Sequence, residues 1–154
     1  MKKEIILLLL LLPTTLIFSQ AKDDISVSLD HFALSVKDVD KAATFYKEVL
    51  NLEEITNKTK DERIRWLSLG DGKELHLVST IKGEVQINKA VHLALATPDF
   101  DSIIAILKDK NIEYSDWPGT LYKTNTRTDG IKQVYFQDPD GYWIEVNSVK
   151  QSAE

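Results

Sequence analysis

Asp30-His31-Phe32-Ala33-Leu34-Ser35 returns further along the chain as Val91-His92-Leu93-Ala94-Leu95-Ala96, at an offset of 61. The same offset carries Asp38 onto Asp99 and Asp40 onto Asp101. A second correspondence, at an offset of 69, sets Trp66-Leu67-Ser68-Leu69 on Tyr135-Phe136-Gln137-Asp138, and Leu75-His76-Leu77-Val78 on Ile144-Glu145-Val146-Asn147. Asp71-Gly72 then falls on Asp140-Gly141, and the difference between the offsets is a longer loop in the second half. Self-similarity on this scale marks a duplicated supersecondary unit.

Each copy reads as strand, helix, then further strands. Residues 29–36 and 91–96 are apolar and alternating, as strands are. Asp38 or Asp40 caps a helix whose apolar positions Ala42, Phe45, Tyr46, Val49 and Leu50 recur every three to four residues. It stops near Asn51, a residue type that tolerates the left-handed conformation. Asp99 or Asp101 starts the twin helix, with Ile103, Ile106 and Leu107 on one face and Asn111 at its end. Gly70-Asp71-Gly72 and Asp138-Pro139-Asp140-Gly141 are turn signals, so each copy finishes in a hairpin. The second strand of each copy is expected near 54–59 and 119–125. The expected organisation is therefore α+β, a single domain over 27–149 made of two tandem βαβββ modules, one over about 27–85 and the other over about 88–149.

Residues 1–20 stand apart from this pattern. Lys2 and Lys3 make a positive start, Ile5 to Leu12 an apolar run, and Pro13 to Gln20 a more polar stretch. That is the layout of a signal peptide cut between Ser19 and Ala21, and the run is short for a membrane span. An uncleaved anchor is the competing reading. Export predicts a secreted or periplasmic protein with no stable membrane insertion after cleavage. The chain has no cysteine, so packing must hold the fold without disulfides. The net charge is −5 and no basic run or basic-aromatic stripe occurs, which argues against a nucleic-acid partner.

Strand parity sorts the side chains, because successive residues point to opposite faces. Phe32, Leu34 and Val36 oppose His31, Ala33 and Ser35; Leu93 and Leu95 oppose His92, Ala94 and Ala96. Leu75 and Leu77 oppose Glu74, His76 and Val78; Ile144 and Val146 oppose Trp143, Glu145 and Asn147. One face is aliphatic and belongs under the helices. The other gathers all three histidines of the chain together with Glu145. Two histidines hold equivalent repeat positions, and the third holds the position equivalent to Glu145. Pseudo-twofold pairing of the modules would make His31, His76, His92 and Glu145 a four-ligand set, suited to Zn, Ni, Fe, Co or Mn. Trp66, Tyr135 and Trp143 share that face as candidates to hold a planar or apolar small-molecule substrate. Arg127 and Lys123 lie in the longer second-half loop, where they are candidates for binding a carboxylate or phosphate.

These residues resemble the vicinal oxygen chelate superfamily, which includes glyoxalase I, extradiol dioxygenases, fosfomycin-modifying enzymes and bleomycin-resistance proteins. The likeness covers residues 28–148. It rests on His31 with Asp38-Val39-Asp40 and Phe45-Tyr46 after it, on His92, and on Gln137-Asp138-Pro139-Asp140-Gly141-Tyr142-Trp143-Ile144-Glu145. It implies an eight-stranded cup with the metal at its base. It also implies a metal-dependent lyase or isomerase of glyoxalase type, working through an enediolate-type intermediate with Glu145 as proton shuttle. Bacterial glyoxalase I has a second glutamate where this chain has His76, and Glu74 is placed to substitute as ligand or base. Two other functions follow from the same resemblance: an Fe(II) ring-cleaving dioxygenase using His31, His92 and Glu145, or a small-molecule-binding protein without turnover. Export argues against thiol-dependent substrates, which belong to the cytosol. A homodimer is compatible with the paired modules.

Overall fold

Asp38 turns the chain from strand into helix. Its carboxylate accepts the backbone N–H of Asp40 and of Lys41, and Asn51 closes the same helix in the left-handed conformation (φ 53°) with its N–H on the Tyr46 carbonyl. In the computed structural model, which describes residues 27–80 and 82–150, this helix is α1 (Val39–Leu50) and follows β1 (His31–Ser35). Then come β2 (Glu54–Ile55), β3 (Ile64–Gly70), β4 (Lys73–Val78), β5 (His92–Ala96), α2 (Phe100–Asp109), β6 (Tyr114–Ser115), β7 (Asn125–Thr126), β8 (Lys132–Gln137) and β9 (Trp143–Asn147). Asp99 precedes α2 without a side-chain cap bond, and its own N–H goes to Thr97 Oγ1. The first aspartate of each pair is thus the one at the helix start. The leader assigned to residues 1–20 lies outside the described residues, among which no helix is long and apolar enough to cross a membrane.

The strands form two sheets, and this corrects the expectation of an eight-stranded cup. One sheet has the order β1-β4-β3-β2; the other has β5-β9-β8-β6, with β7 added on β8. Among the described residues no ladder joins the two sheets, and neither closes into a cup. The reason lies in β1 and β5. Each opens its module, pairs in parallel with that module's last strand, and leaves its outer edge free. Side chains fill the seam between those edges. A cavity of about 260 Å³ is lined there by Phe32, Leu34, His92, Leu93, Tyr142 and Trp143 among others. The Tyr142 hydroxyl donates to the Ser35 carbonyl at 2.9 Å, giving that edge a side-chain partner instead of a strand.

A second correction concerns the strand expected at 119–125. The chain pairs with β8 earlier, through Tyr114 and Ser115, and again later, through Asn125 and Thr126. The segment between is bent by a Pro118-Gly119 turn in which Asp116 takes the N–H of Gly119 on its carbonyl and that of Thr120 on its carboxylate. Gly119 (φ 97°) and Tyr122 (φ 57°) both lie in the left-handed region, so an extended ladder cannot pass through them.

One core nevertheless serves both modules. Leu34, Leu67, Leu75 and Leu77 of the first sheet, Val134, Phe136, Ile144 and Val146 of the second, and Tyr46 and Leu107 of the helices are all buried in one cluster. Phe45 of α1 meets Phe136 of β8, with ring centroids 6.4 Å apart. The buried Tyr46 hydroxyl donates to Asp138 Oδ2 at 2.9 Å, and Asp140 Oδ1 accepts the Lys37 N–H at 2.9 Å. The Asp138-Pro139-Asp140-Gly141 turn is therefore also the clasp that holds α1 to the second sheet.

Candidate functional site

Parallel pairing of β1 with β4 sets His31 beside Glu74 and Ala33 beside His76, while antiparallel pairing of β3 with β4 sets Trp66 beside His76. Partners in register share a face, so these side chains meet. The Trp66 and His76 rings stack at 4.1 Å and 6°, and His76 stacks in turn on His31 at 4.2 Å and 14°. Each imidazole has a carboxylate partner: His31 Nδ1 lies 2.7 Å from Asp30 Oδ2, and His76 Nε2 lies 2.7 Å from Glu74 Oε2. The His31 hydrogen bond is the main cause that lowers the Asp30 pKa. Glu74, the candidate base, thus sits against His76. The Trp66 indole N–H is buried without a partner among the described residues.

The second sheet builds a different cluster from the same register. Glu145 is flanked by Ala94 and Tyr135, Asn147 by Ala96 and Gln133, and Trp143 by His92 and Gln137. Glu145 is 6% exposed and fully engaged. Its Oε1 accepts Gln133 Nε2 at 2.8 Å and Asn147 Nδ2 at 2.9 Å, and its Oε2 accepts the Tyr135 hydroxyl at 2.7 Å. His92 Nδ1 lies 2.9 Å from the Lys89 carbonyl, and its Nε2 lies 3.3 Å from Glu145 Oε2. Burial alone would raise the Glu145 pKa. The bonds from Tyr135, Asn147 and Gln133, with the charge of His92, bring it below the usual value, so the carboxylate is held ionised. Burial and the Glu145 carboxylate push the Tyr135 phenol up, which keeps it a donor.

The structure therefore brings the four expected ligands together two by two. Among the described residues no group of three or more His, Cys, Asp or Glu side chains is placed to hold one ion. Ring lone pairs lie in the ring plane, so the near-parallel His31 and His76 rings cannot both aim a nitrogen at a common ion as they stand. His92 and Glu145 differ in this respect. Two donor atoms 3.3 Å apart can each approach one ion to about 2.1 Å with an angle of roughly 100°, close to tetrahedral. The donor chemistry and geometry of this pair suit a divalent metal; the stacked pair needs a ring rotation first.

Of the candidate substrate residues, Trp66 is in the first cluster and Tyr135 in the second. Trp143 lines the seam cavity and also a neighbouring cavity of about 460 Å³. Arg127 is paired with Asp129 at 2.5 Å, and Lys123 lies exposed in the loop. Three neighbours of the second cluster escape the sequence reading, while Asn147 is placed by parity on the face of Glu145 without a role. Gln133 alternates in step with Tyr135, so parity alone would have found it. Lys89 and Trp117 come from a linker and a loop with no periodicity. Their meeting depends on the fold: Lys89 Nζ donates to Ser115 Oγ at 2.9 Å, to the Asp116 carbonyl and to the Trp117 carbonyl at 3.2 Å. Loss of water around this ammonium lowers its pKa, with Asp116 opposing.

A repeated strand–helix–strands unit, one shared core, and an imidazole–carboxylate pair on the face away from the helices define a two-module α+β protein. Residues 28–146 match the glyoxalase/bleomycin resistance protein/dioxygenase superfamily, and the chain belongs to that superfamily, the vicinal oxygen chelate group. It is 28% identical over 123 residues to the uncharacterized protein YwbC of Bacillus subtilis, covering 76% of this chain and 94% of the relative. It is 25% identical over 128 residues to the metallothiol transferase FosB of Staphylococcus saprophyticus, covering 79% and 76%. Among solved structures it is similar to a glyoxalase/dioxygenase from Nostoc punctiforme, with a TM-score of 0.63, 27% identity, and coverage of 80% of this chain and 92% of that one.

Proposed function

We propose that this chain is a divalent-metal-dependent enzyme of the glyoxalase lyase or isomerase type, with His92 and Glu145 as the fixed half of its metal site. The observation that carries the reading is the 3.3 Å approach of His92 Nε2 to Glu145 Oε2, both groups being oriented from behind. Such orientation by outer hydrogen bonds is what metal ligands require. Membership of a superfamily that often binds metal, and the similarity to FosB, a metallothiol transferase, point the same way. His31 and His76 would complete the set once a ring turns and the two sheets' polar faces meet, with a second copy of the chain as the natural supplier.

A divalent ion held there acts as a Lewis acid on a substrate oxygen. The chain's own residues would do the remainder. Glu145, ionised and next to the Tyr135 hydroxyl, accepts and returns a proton. Glu74 holds Nε2 of His76 and so fixes its tautomer, leaving Nδ1 free. Export through residues 1–20 would place this activity outside the cytosol, and the N-terminal sequence of the secreted protein checks it.

Metal analysis of the mature protein tests the central reading. Bound divalent metal, lost in both His92→Ala and Glu145→Ala, is the expected result. Protein that takes up none of Zn, Ni, Fe, Co or Mn, and whose melting temperature none of them raises, would overturn it. Oxygen consumption with catechols would move the assignment to the dioxygenase type.

A further inference from the structure

We propose that the cavity of about 460 Å³ beside His92 and Glu145 is a subsite for a planar aromatic ring bearing an acidic oxygen, held among Trp117, Tyr135 and Trp143 with Lys89 as its positive charge. This rests on the reading of His92 and Glu145 as the reacting centre. The volume falls within the range of roughly 300–1,000 Å³ usual for small-molecule sites.

The wall chemistry selects the shape of the ligand. Three aromatic rings line the cavity and stand around the Lys89 ammonium, whose Nζ lies 5.8 Å from the Trp117 centroid, 4.6 Å from that of Tyr135 and 5.0 Å from that of Trp143. Ile112, Pro118 and Leu121 add apolar walls, and Ser115 and Gln137 add polar ones. Aromatic rings pack on one another in offset or edge-on geometry, so a flat ring finds partners on several sides. Trp117 and Leu121 remain 48% and 49% exposed, although both are large and apolar. They belong to the loop shaped by the left-handed Tyr122, a conformation that a bulky residue adopts only when its surroundings impose it.

Lys89 selects the charge. All three of its N–H groups are taken by Ser115 and the Asp116 and Trp117 carbonyls, so the ammonium is a fixed point charge. It disfavours a second cation and favours an anionic oxygen brought alongside. Glu113 also lines the cavity, whereas the Asp116 carboxylate is turned to the Thr120 N–H. Tyr135 ties the cavity to the reacting pair, donating to Glu145 at 2.7 Å, and Tyr135 and Trp117 meet the His92 ring at 5.7 and 6.1 Å. A ring seated here presents its substituents to His92 and Glu145.

Calorimetric titration of the mature protein in chelator tests the subsite with three probes: 1-hydroxy-2-naphthoate, 1-naphthylmethylamine and cyclohexanecarboxylate. The naphthoate is expected to bind at least about tenfold tighter than the planar cation or the non-planar acid. Trp117→Ala and Trp117→Leu are each expected to weaken it by about tenfold, the scale of one lost ring contact with its buried area. Lys89→Met should abolish the preference for the anion, Lys89→Arg should restore it, and Lys132→Met, which removes a remote charge, should leave binding as it was. Equal binding of the three probes, or wild-type affinity in both Trp117 variants, overturns the proposal. Because chelator is present, naphthoate binding without any metal uptake would sink only the metal reading. Metal uptake without naphthoate binding would sink only this one.

Discussion

Where the second module places Glu145, the first places His76, and the neighbours differ to match. Around Glu145 stand Gln133, Tyr135 and Asn147, each donating to the carboxylate; at the equivalent positions around His76 stand Ile64, Trp66 and Val78. A buried anion needs donors on every side, since an unpaired one costs several kilocalories. An imidazole needs fewer and can lie against a ring, as His76 does between Trp66 and His31. His76 and Glu145 are both largely buried, their side chains 13% and 8% exposed, and the difference lies in their partners in the stack and the pair, His31 at 42% and His92 at 21%. The second module holds its candidate pair, His92 and Glu145, at 3.3 Å, and the first holds its own, His31 and His76, as a stack of rings.

The sharpest way to break that comparison is to remove each central residue in turn. Glu145→Leu strands three donors and is expected to lower the unfolding free energy by about 2–3 kcal/mol, whereas His76→Leu should cost only about 1 kcal/mol, the scale of a lost ring contact. Urea denaturation in chelator reads both, and the reverse order would mean that the stack, rather than the carboxylate network, is the structural anchor. Next in size is the clasp between the halves. Tyr46→Phe removes a buried bond to Asp138 and should cost about 1.5 kcal/mol. A double cycle with Asp138→Asn gives the coupling, and separate unfolding of the two halves in the variant would show that the shared core alone does not unite them.

A smaller effect is expected in the pH profile. The Glu145 pKa in the fold lies below its ordinary 4.5, so its ionised form stabilises the native state. That contribution is complete above the unfolded value and is lost as pH falls through the lower folded one. The stability difference between wild type and Glu145→Gln, measured without metal, should therefore shrink on acidification below about pH 4.5. A difference that grows instead would mean that burial outweighs the three hydrogen bonds.

Much of this was legible in the chain. The offsets of 61 and 69 gave the two modules, the Asp38–Asn51 punctuation gave α1, and parity put His31, His76, His92 and Glu145 on the faces away from the core. Parity could not say how the two faces lie relative to one another, because that is settled by contacts between modules. Pairing of β1 with β5 would need each to give up side-chain partners such as Tyr142 on Ser35. The two-residue strands β6 and β7 carry no period to detect, and the bend at Pro118-Gly119 between them replaced the expected strand. Lys89 and Trp117 look like ordinary linker and loop residues until the fold seats one against the other.

The column of Trp66, His76 and His31 has a consequence for how the molecule can be watched. An indole in face contact with an imidazole is an emitter beside its own quencher, and turning His76 out of the stack would brighten it. Trp117 stands edge-on to His92 in the same relation on the other sheet. Each half thus carries a lamp and a shutter of its own, and light from the two, separated in variants that keep Trp66 or Trp117 as the sole indole of the three, would tell which half responds when an ion or a ring arrives.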